Sequence, residues 1–377
     1  MSHDAVVIGA GIVGAATAWE LTRRGADVLL LDRGEVSRGT TGVGEGNVLC
    51  ADKDAGPDLD LAVLGRALYD ELESELGSVA KIRRKGALVV HPDERTWAAE
   101  PARVERLRAA GVEARVVDPA EARELEPRLT GPIHGATFVP GDLQCDPTAI
   151  AVALAERARR VRTHAEVAEI LVEPVRGVRL AGGEVIEARH VVLAAGPWSG
   201  PLAATAGLHL PLEPRKGQLV RLRLPRPDPQ FLRRKVVDAS YLLAVASPDA
   251  ARQASTVVET THDGHVLVGS SRERVGFDGS VDDDLSAQLQ AMAARLVPEL
   301  TSLEPDAAWV GFRPWLPDHL PAIGPSESIA GLHLATGHEG AGVGQGPITG
   351  RLVAQAIAGE PPALDLAPFR PDRFTSN

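Results

Sequence analysis

"VVIGAGIVGAA", residues 6–16, decides how this chain folds. "AVVIGA" (5–10) is a short apolar run rich in β-branched residues, and "GIVGAATAWELTRRG" (11–25) has helical spacing and stops at Gly25. "DVLLLD" (27–32) reads as a second buried strand, so the chain opens with a βαβ unit. Gly9, Gly11 and Gly14 form GxGxxG where strand gives way to helix. Gly9 permits the tight turn, Gly11 lets backbone approach a pyrophosphate, and Gly14 lets helix and strand pack closely, with the helix N-terminus facing the anion. Asp32 ends the second strand 18 residues after Gly14, where an acid accepts hydrogen bonds from an adenosine ribose. This context predicts a dinucleotide site and leaves NAD and FAD both open.

A second glycine-rich turn narrows that choice. "LATGHEGAGVGQGPITG" (334–350) holds six glycines in seventeen positions, between an apolar strand ("LHLATG") and a helix ("PITGRLVAQAIAG"). A nicotinamide enzyme needs one turn of this kind. FAD extends across a domain, and its ring becomes anionic on reduction, so a second helix N-terminus aimed at the ring favours the reduced state. The two turns together predict FAD, the first holding the pyrophosphate and the second the ring.

The rest of the chain bounds the reading. At 377 residues it is long enough for two domains, or for one large domain with an inserted lobe. No apolar run approaches a membrane span, and the N-terminus lacks a signal peptide's features, so a cytoplasmic protein is expected. A net charge of −11 argues against nucleic acid and anionic membranes as partners, and "RRK" at 83–85 and 233–235 reads as solvated faces. Cys50 and Cys145 stand far apart in sequence, which suggests neither a disulfide framework nor a metal site. Helices are expected at 58–77, near 94–110, near 118–126, from Asp146 with Pro147 at its first position, and at 285–300. A hairpin over 166–196 leads into an apolar strand at 190–195, and 211–311 is rich in strands. The fold class is therefore α/β, a Rossmann-type FAD-binding domain with an inserted α+β substrate domain on a mixed, antiparallel-rich sheet. Residues 1–82, 143–210 and 312–377 form the discontinuous first domain, and 83–142 with 211–311 the second.

These motifs, with "TTGVGEGN" (40–47), "PGDLQCDP" (140–147), "VVLAAGPWS" (191–199), "PRKGQ" (214–218), "HVLVGSSRE" (265–273) and "GFRPWLPDHLPAIG" (311–324), occur in register. The chain thereby resembles the FAD-dependent D-amino-acid oxidase superfamily, which includes glycine oxidase and sarcosine oxidase. "VGSSRERVGFD" and "GHEGAGVG" are most similar to the branch of hydrogen cyanide synthase and the flavin subunits of opine and hydroxyproline dehydrogenases. The resemblance implies ADP-binding roles for Gly9, Gly11, Ile12, Val13, Gly14 and Asp32, with Arg33 beside the adenosine and the backbone of Val167 at the adenine. It assigns Thr40, Thr41, Gly46 and Asn47 to a loop over pyrophosphate and ring, and Ala195, Gly196 and Trp198 to a middle flavin segment. Gly337, His338, Glu339, Gly340, Gly342, Val343 and Gly344 match the segment under the ring. Glu339 departs from the small or apolar residue found there in many relatives; it would orient an amine or cap the helix.

Oxidation of an amino acid by flavin is mainly hydride transfer from Cα, so positioning outweighs a general base. Arg313 in "GFRP" matches the arginine that grips the substrate carboxylate and also borders the cofactor. Tyr241 in "DASYLLA" is a pocket tyrosine or a core one. His338 acts at the flavin or lends only its backbone, whereas His262 and His265 in "THDGH" read as exposed turn histidines. Pro314 and Trp315 follow Arg313 where a covalent enzyme would carry a cysteine, so FAD is expected to be non-covalent. The substrate class is an amino acid or secondary amine, with O2 or a carrier or quinone as electron acceptor. The alternative is a flavin subunit of a multi-subunit amino-acid or opine dehydrogenase, and the sequence leaves homo-oligomer and partner subunits open.

Overall fold

A computed structural model of the chain describes residues 2–172, 175–242 and 252–374. Its first sheet runs Ala322–Pro325, Leu332–Thr336, Val185–Leu193, His3–Ile8, Val28–Leu31, Val161–Arg162 from edge to edge. Every pair in that order is parallel except the first. A parallel sheet is buried on both faces, which is why its strands read as unbroken apolar runs. Alternate residues of one strand feed two cores: Ala5 and Val7 join one cluster, Val6 and Ile8 the other. The hairpin Val167–Leu171 and Gly177–Leu180 pairs onto the start of Val185–Leu193.

The helices on the first of these cores are Ile12–Arg23, Pro57–Leu76, Pro147–Arg157 and Gly342–Ala358. Asp146 caps its helix as expected, accepting from the Ala149 N–H at 2.9 Å. The last helix meets the first almost backbone to backbone: a side-chain carbon at Gly350 would stand 2.6 Å from the Thr17 nitrogen. This contact packs together the helices that follow the two glycine-rich turns, although more than three hundred residues separate them.

The second sheet runs Glu304–Trp315, Glu213–Arg223, Val266–Arg272, Gln253–Thr260, Lys235–Asp238, Ala87–His91, Gly135–Val139, Arg115–Val117. It is antiparallel apart from the pairing of Lys235–Asp238 with Ala87–His91, which gives the mixed, antiparallel-rich sheet expected. A short ladder, Asn47–Val48 with Leu143–Gln144, lies apart from both. The helix read as 285–300 spans Asp283–Ala294 instead, with Pro298 opening a separate 3-10 turn, because proline cannot continue the backbone bonding. The charged helix near 94–110 divides into Glu94–Ala98 and Glu100–Ala109, with Pro101 in the first turn of the second.

Candidate active site

A cavity of about 850 Å³ runs between the two sheets. At one end lie the first turn and Asp32, and at the other the second turn, Arg313 and Tyr241. Gly9 adopts φ +104°, open to glycine almost alone, and a side-chain carbon there would meet the Ala194 carbonyl oxygen at 2.4 Å. Asp32 is locked by two backbone donors, Ala10 N–H at 2.7 Å and Gly34 N–H at 2.8 Å. The helix beginning at Ile12 has no side-chain cap of its own; Thr41 reaches across to accept from the Ile12 N–H at 3.1 Å. The helix from Gly342 likewise starts without a side-chain cap. Two helix starts without caps from their own N-cap residues therefore border one cavity, the arrangement an anion or polarised ring requires.

The loop carrying Thr40 and Thr41 is fastened to the second sheet. Thr40 donates to the Phe312 carbonyl at 2.6 Å, and the Trp309 indole donates to the Val43 carbonyl at 3.0 Å. The middle segment is fixed to the last parallel strand by Thr336, which donates to the Gly196 carbonyl at 3.1 Å. Arg33 lies 3.8 Å over the Trp198 ring.

Nearly all residues implicated by sequence line the cavity: Gly9, Gly11, Ile12, Val13, Asp32, Arg33, Thr40, Thr41, Gly46, Asn47, Val167, Ala195, Gly196, Trp198, Tyr241, Arg313, His338, Glu339, Gly340, Gly342, Val343 and Gly344. Gly14 and Gly337 stand behind the wall. A side-chain carbon at Gly14 would lie 1.8 Å from the Gly9 carbonyl oxygen, and Gly337 turns the strand at φ +88° against Leu316. A group placed along this wall would meet backbone amides at the first turn, Asp32 at one end and a second helix start at the other, so the residues present fit FAD.

Side-chain roles at the second turn are more specific than the sequence suggested. His338 is buried and its Nε2 pairs with the Thr349 hydroxyl at 2.8 Å; burial lowers its pKa to about 4, so the ring is neutral. Glu339 neither caps the helix nor stands free: Arg215 donates to it at 2.6 Å and His319 approaches its other oxygen at 3.3 Å. Burial alone would raise the Glu339 pKa, but the His319 bond and the charges of Arg215 and Arg272 outweigh it and hold the group at about 2. Arg215 and Arg313 are paired in register on neighbouring strands, and the Arg313 guanidinium lies over Gly217, where a side-chain carbon would meet it at 2.1 Å.

Among the described residues Arg313 is bound only to neutral oxygens, donating to the Ser271 carbonyl at 2.9 Å and the Ser270 hydroxyl at 3.2 Å. Burial, with Arg272 nearby, lowers its pKa to about 10, and it stays charged at neutral pH. No carboxylate among the described residues forms an ion pair with it, although the charge of Arg272 is near it.

Sequence reasoning missed a buried charge network beneath this end. Glu259 accepts from Lys85, from Asn47 at 2.7 Å and from Gln144 at 2.7 Å, and lies 3.5 Å from Lys235, which also pairs with Glu45. Lys85 and Lys235 are thus buried rather than solvated, and Lys235 and Glu45 line the cavity. The signal was present: Lys235 heads the apolar strand "KVVD", and Glu259 sits inside "TVVET". His262 and His265 are half-buried, not exposed; His265 accepts from the Leu224 N–H at 3.3 Å, and burial lowers the His262 pKa.

The family described as FAD dependent oxidoreductase matches residues 4–356. The chain belongs to that family. It is an FAD-dependent oxidoreductase, and this membership accounts for the paired helix starts around one elongated cavity. Over 386 residues it is 33% identical to a glycine oxidase of Pseudomonas aeruginosa, covering 98% of this chain and 99% of that one. It is also 30% identical over 421 residues to a hydrogen cyanide synthase subunit of Pseudomonas aeruginosa, covering 99% and 96%. The solved glycine oxidase of Geobacillus kaustophilus superposes with a TM-score of 0.88 at 29% identity over 100% of both chains. Among the described residues no helix is long and apolar enough to cross a membrane.

Proposed function

We propose that this oxidoreductase acts on the carbon–nitrogen bond of an amino acid or N-substituted amino acid. The observation that carries the reading is Arg313, a half-buried guanidinium on the cavity wall bonded, among the described residues, only to Ser270 and Ser271. A charge partly withdrawn from water and left with neutral partners is incompletely compensated, and an arriving carboxylate supplies that compensation through charge-assisted hydrogen bonds. The glycine oxidases among its relatives agree with a small amino-acid substrate.

Bound FAD supplies the two-electron acceptor for the hydride on the substrate's Cα. The chain's own part is positional. Arg313 orients the substrate through its carboxylate, and Tyr241, Leu219, Val237 and Val257 supply the surrounding wall. His338 takes no proton, because it is neutral and committed to Thr349. Glu339 is committed to Arg215, so it does not compete for Arg313 or for the amine. The product imine hydrolyses to a keto acid or glyoxylate and an amine, with O2 or a carrier accepting the electrons. Gly9, Gly11, Asp32, Thr41 and the Gly340–Gly344 helix start hold FAD without a covalent bond, since Cys50 and Cys145 are buried off the cavity wall.

Replacing Arg313 by Ala tests the reading. The apparent KM for an amino-acid substrate should rise at least about tenfold, from loss of an interaction of roughly 1.5–3 kcal/mol. An unchanged KM rejects the clamp.

A further inference from the structure

Phe277 is one of the few large apolar side chains that stand in the open, with 45% of its surface exposed. It lies between the strand Val266–Arg272 and the helix Asp283–Ala294, and so belongs to the second sheet's side of the molecule. Its ring is nevertheless parallel to that of Trp198, at 5.2 Å and 8°, and meets Phe312 edge-on at 5.3 Å. Trp198 follows a strand of the first sheet, lines the cavity and carries Arg33 over its ring. The run Arg33, Trp198, Phe277, Phe312 thus crosses from one sheet to the other beside the Asp32 end.

The segment bearing Phe277 is anchored. Asp278 accepts from Lys216 at 3.2 Å and from the Ser280 N–H at 3.0 Å, and Asp282 accepts from Arg252 at 2.6 Å. Lys216 itself sits on the strand Glu213–Arg223, next to the one that carries Phe312. The ring is therefore held against Trp198 from the opposite sheet, where solvent exposure alone would have favoured a polar residue.

We propose that Phe277 is a latch for the cofactor: its stack on Trp198 ties the two sheets together over the dinucleotide end and slows the exit of non-covalent FAD. The latch acts on retention, beyond the reading of substrate and chemistry. The ring donates nothing to the reaction; it keeps Trp198 and Arg33 in place along the cavity wall.

The test uses purified holoenzyme, diluted in the absence of substrate, with FAD release followed by the rise in flavin fluorescence. Loss of two aromatic contacts in Phe277→Ala should accelerate release and weaken FAD binding about tenfold, whereas Phe277→Tyr, which keeps the stack, should release at nearly the parental rate. Val281→Ala removes another exposed apolar side chain of the same segment and should leave release unchanged. Release from Phe277→Ala at the parental rate overturns the latch. So does equal acceleration by Val281→Ala, which would mean that any loosening of the segment suffices. Because substrate is absent, neither result bears on Arg313 and its carboxylate.

Discussion

At the first glycine turn, a side-chain carbon on Gly14 would stand 1.8 Å from the Gly9 carbonyl oxygen, and one on Gly9 would stand 2.4 Å from that of Ala194. At the second, a carbon on Gly340 or Gly342 would meet nothing nearer than 3.7 Å or 3.5 Å. Crowding is found on either side of them, at Gly337 against Leu316 where the strand turns, and inside the following helix at Gly346 against Ile12 and Val13 and at Gly350 against Ala16 and Thr17. At Gly9 and Gly14 the first turn is built from glycine because the protein's own backbone leaves no room. The second has glycine over open cavity at Gly340 and Gly342 and close helix packing further on. Similar composition therefore serves strand–helix contact in one place and, in the other, ligand approach followed by helix–helix contact.

Substitutions separate these uses. The largest effect belongs to Gly14→Ala, which forces strand and helix apart and should cost about 3 kcal/mol or more, with loss of FAD binding. Thermal unfolding and flavin absorbance of the purified variant measure both, and a stable yellow protein would contradict the packing argument. Gly350→Ala should cost about 1–3 kcal/mol by urea unfolding, because the contacted atoms are helix backbone and cannot swing aside.

The charged group of the second turn gives a smaller, pH-dependent effect. The Glu339 pKa is depressed to about 2, so its stabilisation is present above the ordinary carboxyl range and fades as pH falls towards 2. Between about pH 5 and about pH 3 the parent should lose roughly 1–2 kcal/mol relative to Glu339→Gln. Parallel pH dependence in the two proteins would mean that Arg215 and His319 do not hold the carboxylate. Smallest in stability is Gly342→Ala, expected to shift cofactor-free unfolding by less than about 0.5 kcal/mol. Its FAD affinity should still fall, since the added carbon enters the space at the helix start. Unchanged affinity would remove that turn from the cofactor site.

Much of this was legible because it is local. GxGxxG between a strand and a helix, the acid at Asp32 and the Asp146–Pro147 helix start depend on near neighbours in sequence. The buried pairs were not. Lys235 and Lys85 looked like parts of basic surface runs, and only the register of Lys235–Asp238 beside Ala87–His91 and Gln253–Thr260 brings them to Glu259. Glu339 was ambiguous for the same reason: its partner Arg215 lies 124 positions away and reaches it only through the pairing of Glu213–Arg223 with Glu304–Trp315. Side chains that settle the electrostatics are joined by sheet topology, whereas the turns that make the cofactor site are written in consecutive residues.

The proposed clamp leaves Arg313 without a carboxylate partner among the described residues so that the substrate supplies one. Its most direct test is anaerobic bleaching of the flavin absorbance by an amino acid and by the corresponding carboxamide, in the parent and in Arg313→Ala. The parent should bleach with the amino acid at concentrations at least about tenfold below those needed for the amide, and the variant should lose that preference. Equal preference for the acid in both proteins would rule out Arg313 as the carboxylate's partner.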